Sequence, residues 1–452
     1  MTATHAVRPG EAFAGGGGRD RIPSGGVWHV YRAERRKLST QLATRLLALI
    51  CVLGPFAFAG VLKIQAGSPA DTLFGVWVHQ SGFALSLVVL SFCGSWGFPV
   101  LAGVLAGDIF ASEDRYGTWK MVLTRSSSRR SLFVGKVLAA ITFSVGLLLL
   151  LAVSSLAAGL LLIGDGSLVD LGGHTLTSGH ALELVVLSWL LNILPMLAFT
   201  SLAVLLSIAT RNGIMGVIGP ALVDLVMQLL LLVGTGVWLH MLLAASAFDG
   251  WYTLFVAHHY YGPLLIACIV SVIWIVACLA GSWLLLRRRD FAGAPVSRRP
   301  GWVVPVRVAV GSAVIVAFLA VASNWGPVGD TAARLKANFV PAFTNLTLLQ
   351  QRELGRYVPR GAKLNVITTC SRRASTPSGP GDWICTLDVF IPQLGAEPFQ
   401  QTPVSYDVSL QWDGCYKAES PPTFVGQQTM TAAGGHSVVN PLFVIYGCFN
   451  PL

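Results

Sequence analysis

The sequence predicts an α-helical membrane protein with seven apolar spans, followed by a small, mainly β domain outside the membrane. Three observations predict it. Only 12% of residues are charged against 54% hydrophobic, where soluble chains carry about a quarter charged residues. Seven apolar runs approach or exceed the ~20 residues that cross a bilayer core, at roughly 45–62, 82–106, 137–163, 181–208, 213–239, 262–286 and 302–322. Basic residues cluster in alternate loops between them. Inside lipid each run must be helical, because an open sheet edge leaves backbone groups unpaired. The formal charge of +10 sits mostly at the ends of apolar runs. That distribution suits membrane orientation and excludes a nucleic-acid groove as the first reading.

Residues 1–26 are rich in Gly and small side chains and lack a signal-length apolar core, so they predict a disordered cytosolic tail. The GGGG at 15–18 has no strand before it and no helix after it, unlike a phosphate loop. Neither GxxxxGK[ST] nor HExxH occurs, so no nucleotide-hydrolysing or zinc-peptidase site is expected. Residues 27–44 predict an amphipathic interface helix on the cytosolic membrane surface. Val27, Tyr31, Leu38 and Leu42 fall near one face, with Arg32, Arg35, Arg36 and Gln41 mostly elsewhere.

Residues 45–289 hold six spans and 302–322 the seventh. Arg32, Arg35, Arg36 and Lys37 precede the first. Arg115, Lys120, Arg125, Arg129, Arg130 and Lys136 separate the second from the third, and Arg211 the fourth from the fifth. Arg287, Arg288, Arg289, Arg298, Arg299 and Arg307 lie between the sixth and the seventh, while the opposite loops hold only Lys63. By the positive-inside rule the N-terminus is cytosolic and residues 323–452 are extracytoplasmic. A bacterial plasma (inner) membrane is expected, since 24 arginines against seven lysines suggest a GC-rich bacterial source.

Cysteine usage agrees. Cys51, Cys93, Cys268 and Cys278 lie in apolar runs, where thiols pack as small hydrophobes. Cys370, Cys385, Cys415 and Cys448 all lie in the polar tail and suggest two disulfides in an oxidising compartment. Three pairings are possible, and chain order favours Cys370–Cys385 with Cys415–Cys448. The tail opens with helical spacing at 331–356 around Pro341. It continues with alternating stretches at 363–369, 383–391 and 404–412 that predict strands.

The stretch EDRYGTWKMVLTRSSSRRSLFVGK (113–136) is a basic island between the second and third spans. Phe110–Tyr116 predicts a short helix broken at Gly117, with Gly117-Thr118 as a turn. A short charged hairpin of this kind is either a docking surface or a loop that only orients the chain. The order Glu113, Gly117-Thr118, Leu123, Arg125, Arg129 and Gly135-Lys136 resembles the loop of ABC transporter permeases of the type-2 (exporter) class. Glu34 and Lys37-Leu38 resemble that family's interface helix. The resemblance covers six spans, to about residue 289. The chain departs from it in having Ser126–Ser128 where Pro is common, and in adding a seventh span and a tail.

The resemblance implies a six-helix permease core that couples ATP hydrolysis by a separate cytosolic ATP-binding subunit to substrate movement. The chain itself would bind no cofactor and catalyse nothing, ATP and Mg²⁺ belonging to the partner. Glu34, Lys37, Glu113, Arg115, Gly117, Thr118, Arg125, Arg129 and Lys136 are the implied coupling residues. Glu113 would pair with a cation or cap a helix, and Arg125, Arg129 and Lys136 would meet the ATPase or lipid phosphates. A homodimer or a second permease subunit is implied as well. The aromatic stretch 247–262 resembles the short re-entrant element that caps the pathway in that class.

Within the spans, Asp224 and Gln228 share a helical face and are candidates for the transport path or for a packing contact. Pro195 and Pro220 predict kinks. His258-His259 read as interfacial residues, not metal ligands. Two other functional readings stay open: a membrane-anchored extracytoplasmic binding or sensing protein, and an ion-coupled secondary transporter with Asp224 as carrier.

Overall fold

The structure, a computed structural model, describes residues 26–64, 72–119, 128–232, 237–256, 260–289, 331–359, 361–362, 364–374, 378–390 and 403–450. The expected tail at 1–25, the seventh run 302–322, Lys120, Arg125 and His258-His259 lie outside these residues.

Helix α1, Val27–Thr40, buries Val30, Tyr31, Glu34 and Leu38. This corrects the expected apolar line. The extended backbone of Gln41 ends α1 and resets the helical phase, so Leu42 starts the next helix and is 72% exposed. Among the described residues six helices are long and apolar enough to cross a membrane: α2 Leu42–Ile64, α3 Gly82–Ala106, α5 Arg129–Leu162, α6 Ser178–Thr210, α7 Gly213–Leu232 and α9 Gly262–Arg287. Between them lie the short helices α4, Ala111–Arg115, and α8, Val237–Leu242.

Helix α5 starts at Arg129, not 137. Ser128 caps it, its hydroxyl oxygen accepting from the Ser131 N–H at 3.0 Å. From this cap the stretch 129–136, with Leu132 and Phe133 buried, forms the first turns of a spanning helix. Helix α6 is interrupted at Asn192, just before Pro195, whose ring nitrogen has no proton to donate to the preceding turn. The described part of helix α7 runs to Leu232, and the expected run to 239 reaches into the helical Val237–Leu242. Helices α3 and α7 touch backbone to backbone. A Cβ on Gly103 would lie 2.0 Å from the Val217 carbonyl oxygen, and one on Gly216 2.0 Å from that of Gly107. Lipid gives helices no hydrophobic reason to associate, so close van der Waals approach through small residues has to do it.

At the end away from α1 and α4, the 3₁₀ segment Ala245–Phe255 is largely buried, with Trp251 and Phe255 packed against Phe74. The C-terminal unit begins with α10, Thr331–Glu353. It continues with β1 Asn365–Arg372, β2 Gly381–Phe390, β3 Val404–Leu410, β4 Cys415–Glu419, α11 Pro422–Val425, β5 Thr429–Thr431, β6 Ser437–Val439 and β7 Val444–Cys448. Five strands form one antiparallel sheet in the order β1-β2-β3-β4-β7, and β5 pairs with β6. Phe339 and Phe343 of α10 pack edge-on against Tyr406 of β3, at 5.3 and 6.1 Å between ring centroids. Register places Cys370 opposite Cys385 and Cys415 opposite Cys448, and disulfides join both pairs.

This unit sits on the far end of the bundle. Val76 packs with Val439 and Val444. The Asn345 amide donates to the Gly172 carbonyl at 2.7 Å, and the Tyr260 hydroxyl to the Asp413 carbonyl at 3.3 Å. Asp413 is 3% exposed. Burial pushes its carboxyl up to about 6, against the lowering effect of the Cys415 N–H that it accepts. An acid raised above its unfolded value binds a proton more readily when folded, so stability rises as pH falls through that value. Lowering pH from 7 to 5 should therefore stabilise this unit by about 1 kcal/mol. Thermal unfolding at the two pH values checks this, and Asp413→Asn should abolish the difference.

Candidate functional site

The basic end of the bundle is organised around one lysine. Lys136 lies on the second turn of α5 and is 0% exposed. Its ammonium donates to Glu34 Oε1 at 2.7 Å, to the Ile109 carbonyl at 2.9 Å and to Glu113 Oε1 at 3.2 Å. All three N–H bonds are thereby used. Phe110 places its ring 5.6 Å from the same nitrogen. Lys37 completes the group, donating to Glu113 Oε1 at 3.3 Å and to the Ser112 hydroxyl at 3.4 Å. The Thr118 hydroxyl donates to Glu113 Oε2. Two carboxylates and two ammonium groups balance, which a buried ionic cluster requires. Burial alone would raise the Glu113 carboxyl. Lys136, Thr118 and Lys37 outweigh it and hold that carboxyl below the usual carboxylate range. Its stabilising contribution is full above that range and fades only as pH falls through the lowered value, so neutral pH leaves it intact.

Gly135 explains how α1 reaches this lysine. A Cβ there would lie 2.7 Å from Val30 Cβ and Cγ1. The Gly-Lys pair thus does two jobs, giving α1 close approach and then pinning it. Gly135→Leu should lift α1 off α5. Faster tryptic cleavage at Arg35 and Arg36 would report it.

Helix α4 hangs from this cluster. The Ser207 hydroxyl of α6 accepts the Ala111 N–H at 3.0 Å. Asp114 accepts from the Trp119 indole at 2.8 Å and pairs with Arg289 at the end of α9. Arg115 pairs with Asp108 at 2.9 Å. Beneath it, Gly213 at the start of α7 leaves room for the Asp108 carboxylate, which a Cβ would approach to 2.3 Å. Gly117, at φ +64°, turns the chain in the left-handed region that favours glycine. Tyr116 is 71% exposed. Residues 115–118 therefore form a protruding knuckle whose base is tied to α1, α5, α6 and α9.

Of the residues the sequence singles out, Glu34, Lys37, Glu113, Thr118 and Lys136 come together, and Arg115 and Gly117 sit on the knuckle. Lys136 faces Glu34 and Glu113 and has no surface to offer a partner, which corrects the expectation that it meets an ATPase or lipid phosphates. Arg129 donates to the Arg287 and Arg289 carbonyls at 3.0 and 3.2 Å, closing the end of α9. Asp224 and Gln228 lie in α7. Asp224 is 2% exposed. Sequence reading misses Ser112, Asp114, Ser207 and Arg289. Arg289 was visible only as one of three arginines marking an inner loop.

Residues 70–292 match the family model described as "Protein of unknown function (DUF2705)". The chain is also similar to the uncharacterized protein YhcI of Bacillus subtilis (strain 168), with 26% identity over 165 residues. That match covers 34% of this chain and 49% of YhcI, so it spans about half the length of the curated relative.

Proposed function

We propose that the chain is the membrane-spanning permease subunit of an ATP-driven transporter of the type-2 ABC exporter class, worked by a separate cytosolic ATP-binding subunit. The observation that carries this reading is the knuckle at 115–118, exposed at its tip and ion-paired at its base into several helices. A loop that only orients a chain gains little from a buried lysine shared by two carboxylates, since desolvating such a group costs free energy. An element that must move several spans as one gains rigidity from it. The resemblance to the exporter class falls on the same residues.

In this reading α1, α4 and the end of α9 face the cytosol, and the disulfide-bonded unit is extracytoplasmic. The membrane is a bacterial plasma membrane. A seventh crossing at 302–322 is supported by the residues on either side of it. Arg289 is tied to Asp114 at the basic end, whereas α10 is docked on Gly172 at the other. ATP and Mg²⁺ belong to the partner. Two permease halves enclose the path, as a homodimer or with a second permease. Exposed apolar side chains on α2 and α9, such as Ile50, Leu53, Val272 and Val276, face lipid or that second half.

The test is purification of the full chain in mild detergent, as wild type and as Arg115→Glu/Tyr116→Ala. An ATP-binding chain should accompany the wild type and be lost from the variant. A wild type that carries no ATP-binding chain sinks the reading.

A further inference from the structure

Between the 164–177 loop, which joins α5 to α6, and helix α10 lies a groove of about 280 Å³. Asn345, Leu348, Leu349 and Arg352 recur at three- and four-residue spacing, so one face of α10 lines it. His174 and Thr175 of the loop line the other side. Helix and loop are held in register. The Asn345 amide that donates to Gly172 also lies 3.2 Å from His174 Nε2. Gly173, at φ +79°, allows the approach, since a Cβ there would lie 2.8 Å from Asn345 Cβ.

Arg352 brings a guanidinium to this groove. Among the described residues no carboxylate lies within ion-pair distance of the Arg352 guanidinium. Asp170 of the loop accepts the Gly172 and His174 N–H groups at 2.9 and 2.7 Å and lies 3.5 Å from His174 Nδ1. The groove therefore offers the Arg352 guanidinium, unpaired among the described residues, and the Thr175 hydroxyl beside two leucines, while Asp170 and Asn345 hold the His174 ring. A volume near 280 Å³ accommodates a head group and a few methylenes, not a whole lipid.

We propose that this groove binds the phosphate head of an anionic amphiphile, with the phosphate on Arg352 and the first methylenes on Leu348 and Leu349. Guanidinium and phosphate match as a bidentate, charge-assisted pair. The leucines give the chain of the ligand an apolar surface. The site does not depend on any ATP-binding partner.

The test is calorimetric titration of the full chain in non-ionic detergent with three probes: inorganic phosphate, dihexanoyl phosphatidic acid and dihexanoyl phosphatidylcholine. Phosphatidic acid should bind at least tenfold more tightly than either of the others. Arg352→Gln should lower that affinity at least tenfold and Arg352→Lys by less, and Leu348→Asn should lower it without creating phosphate binding. Arg352 is exposed, so these variants should keep the wild-type unfolding temperature. Equal binding of inorganic phosphate overturns the amphiphile, equal binding of phosphatidylcholine overturns the anion, and an unchanged Arg352→Gln overturns the site.

Discussion

Lys136→Met should destabilise the basic end of the molecule by about 3–5 kcal/mol, because it leaves buried carboxylates short of a partner. The side chain is replaced by one of similar length, so lost packing contributes little. The group then holds Glu34 and Glu113 against Lys37 alone. Helix α1 should loosen, and tryptic cleavage at Arg35 and Arg36 should accelerate well before the spans unfold. Charge balance supplies the internal control. Adding Glu34→Gln leaves one carboxylate, Glu113, facing one ammonium, Lys37, at 3.3 Å. The double variant should recover a large part of the lost protection. Additive losses from the two changes would mean that the groups are not coupled.

Gly216→Leu should have a comparable effect by a different route. The Gly107 carbonyl oxygen lies 2.0 Å from where its Cβ would be, and that oxygen is backbone, so only separation of α3 from α7 relieves the clash. Overpacking of this kind costs about 1–3 kcal/mol when side chains can give way. Here they cannot, so a loss of about 3 kcal/mol or more is expected, the size reserved for named structural faults. Gly146→Ala is the matched control. It lies in α5 with nothing within 4 Å of its Cβ, and it should be neutral or slightly stabilising. Thermal unfolding of the two variants in the same detergent separates them.

The physics of these two sites also explains what could be read in the sequence. Spans announce themselves because hydrophobicity is a property of composition, and the six expected runs among the described residues correspond to long apolar helices. Their ends are another matter. Residues 129–136 mix three cations with Leu132, Phe133 and Val134, and the Ser128 cap marks where their helix starts. The disulfide pairing follows chain order because successive antiparallel strands bring Cys370 to Cys385. Cys415 reaches Cys448 across β4 and β7, which become neighbours only after the β5–β6 hairpin is set aside. The residues of the basic cluster were visible as a motif, but their mutual contacts were not. Lys136 and Glu34 are 102 positions apart, and a lysine is rarely buried unless paired, so the bland expectation was an exposed cation. Asp114 and Arg289, 175 positions apart, left no local signal at all. The groove on α10 was equally hidden. Its spacing is helical, but its second wall comes from a loop that the sequence marks only by Gly and His.

The central claim is that the 115–118 knuckle receives work from an ATP-binding partner. The most direct measurement is the ATP hydrolysis rate of the purified complex in nanodiscs, with the wild-type chain and with Arg115→Glu/Tyr116→Ala. Hydrolysis that co-elutes with the wild-type chain and falls at least tenfold in the variant is the predicted result. Hydrolysis that is absent from the wild-type fraction, or unchanged in the variant, contradicts the account.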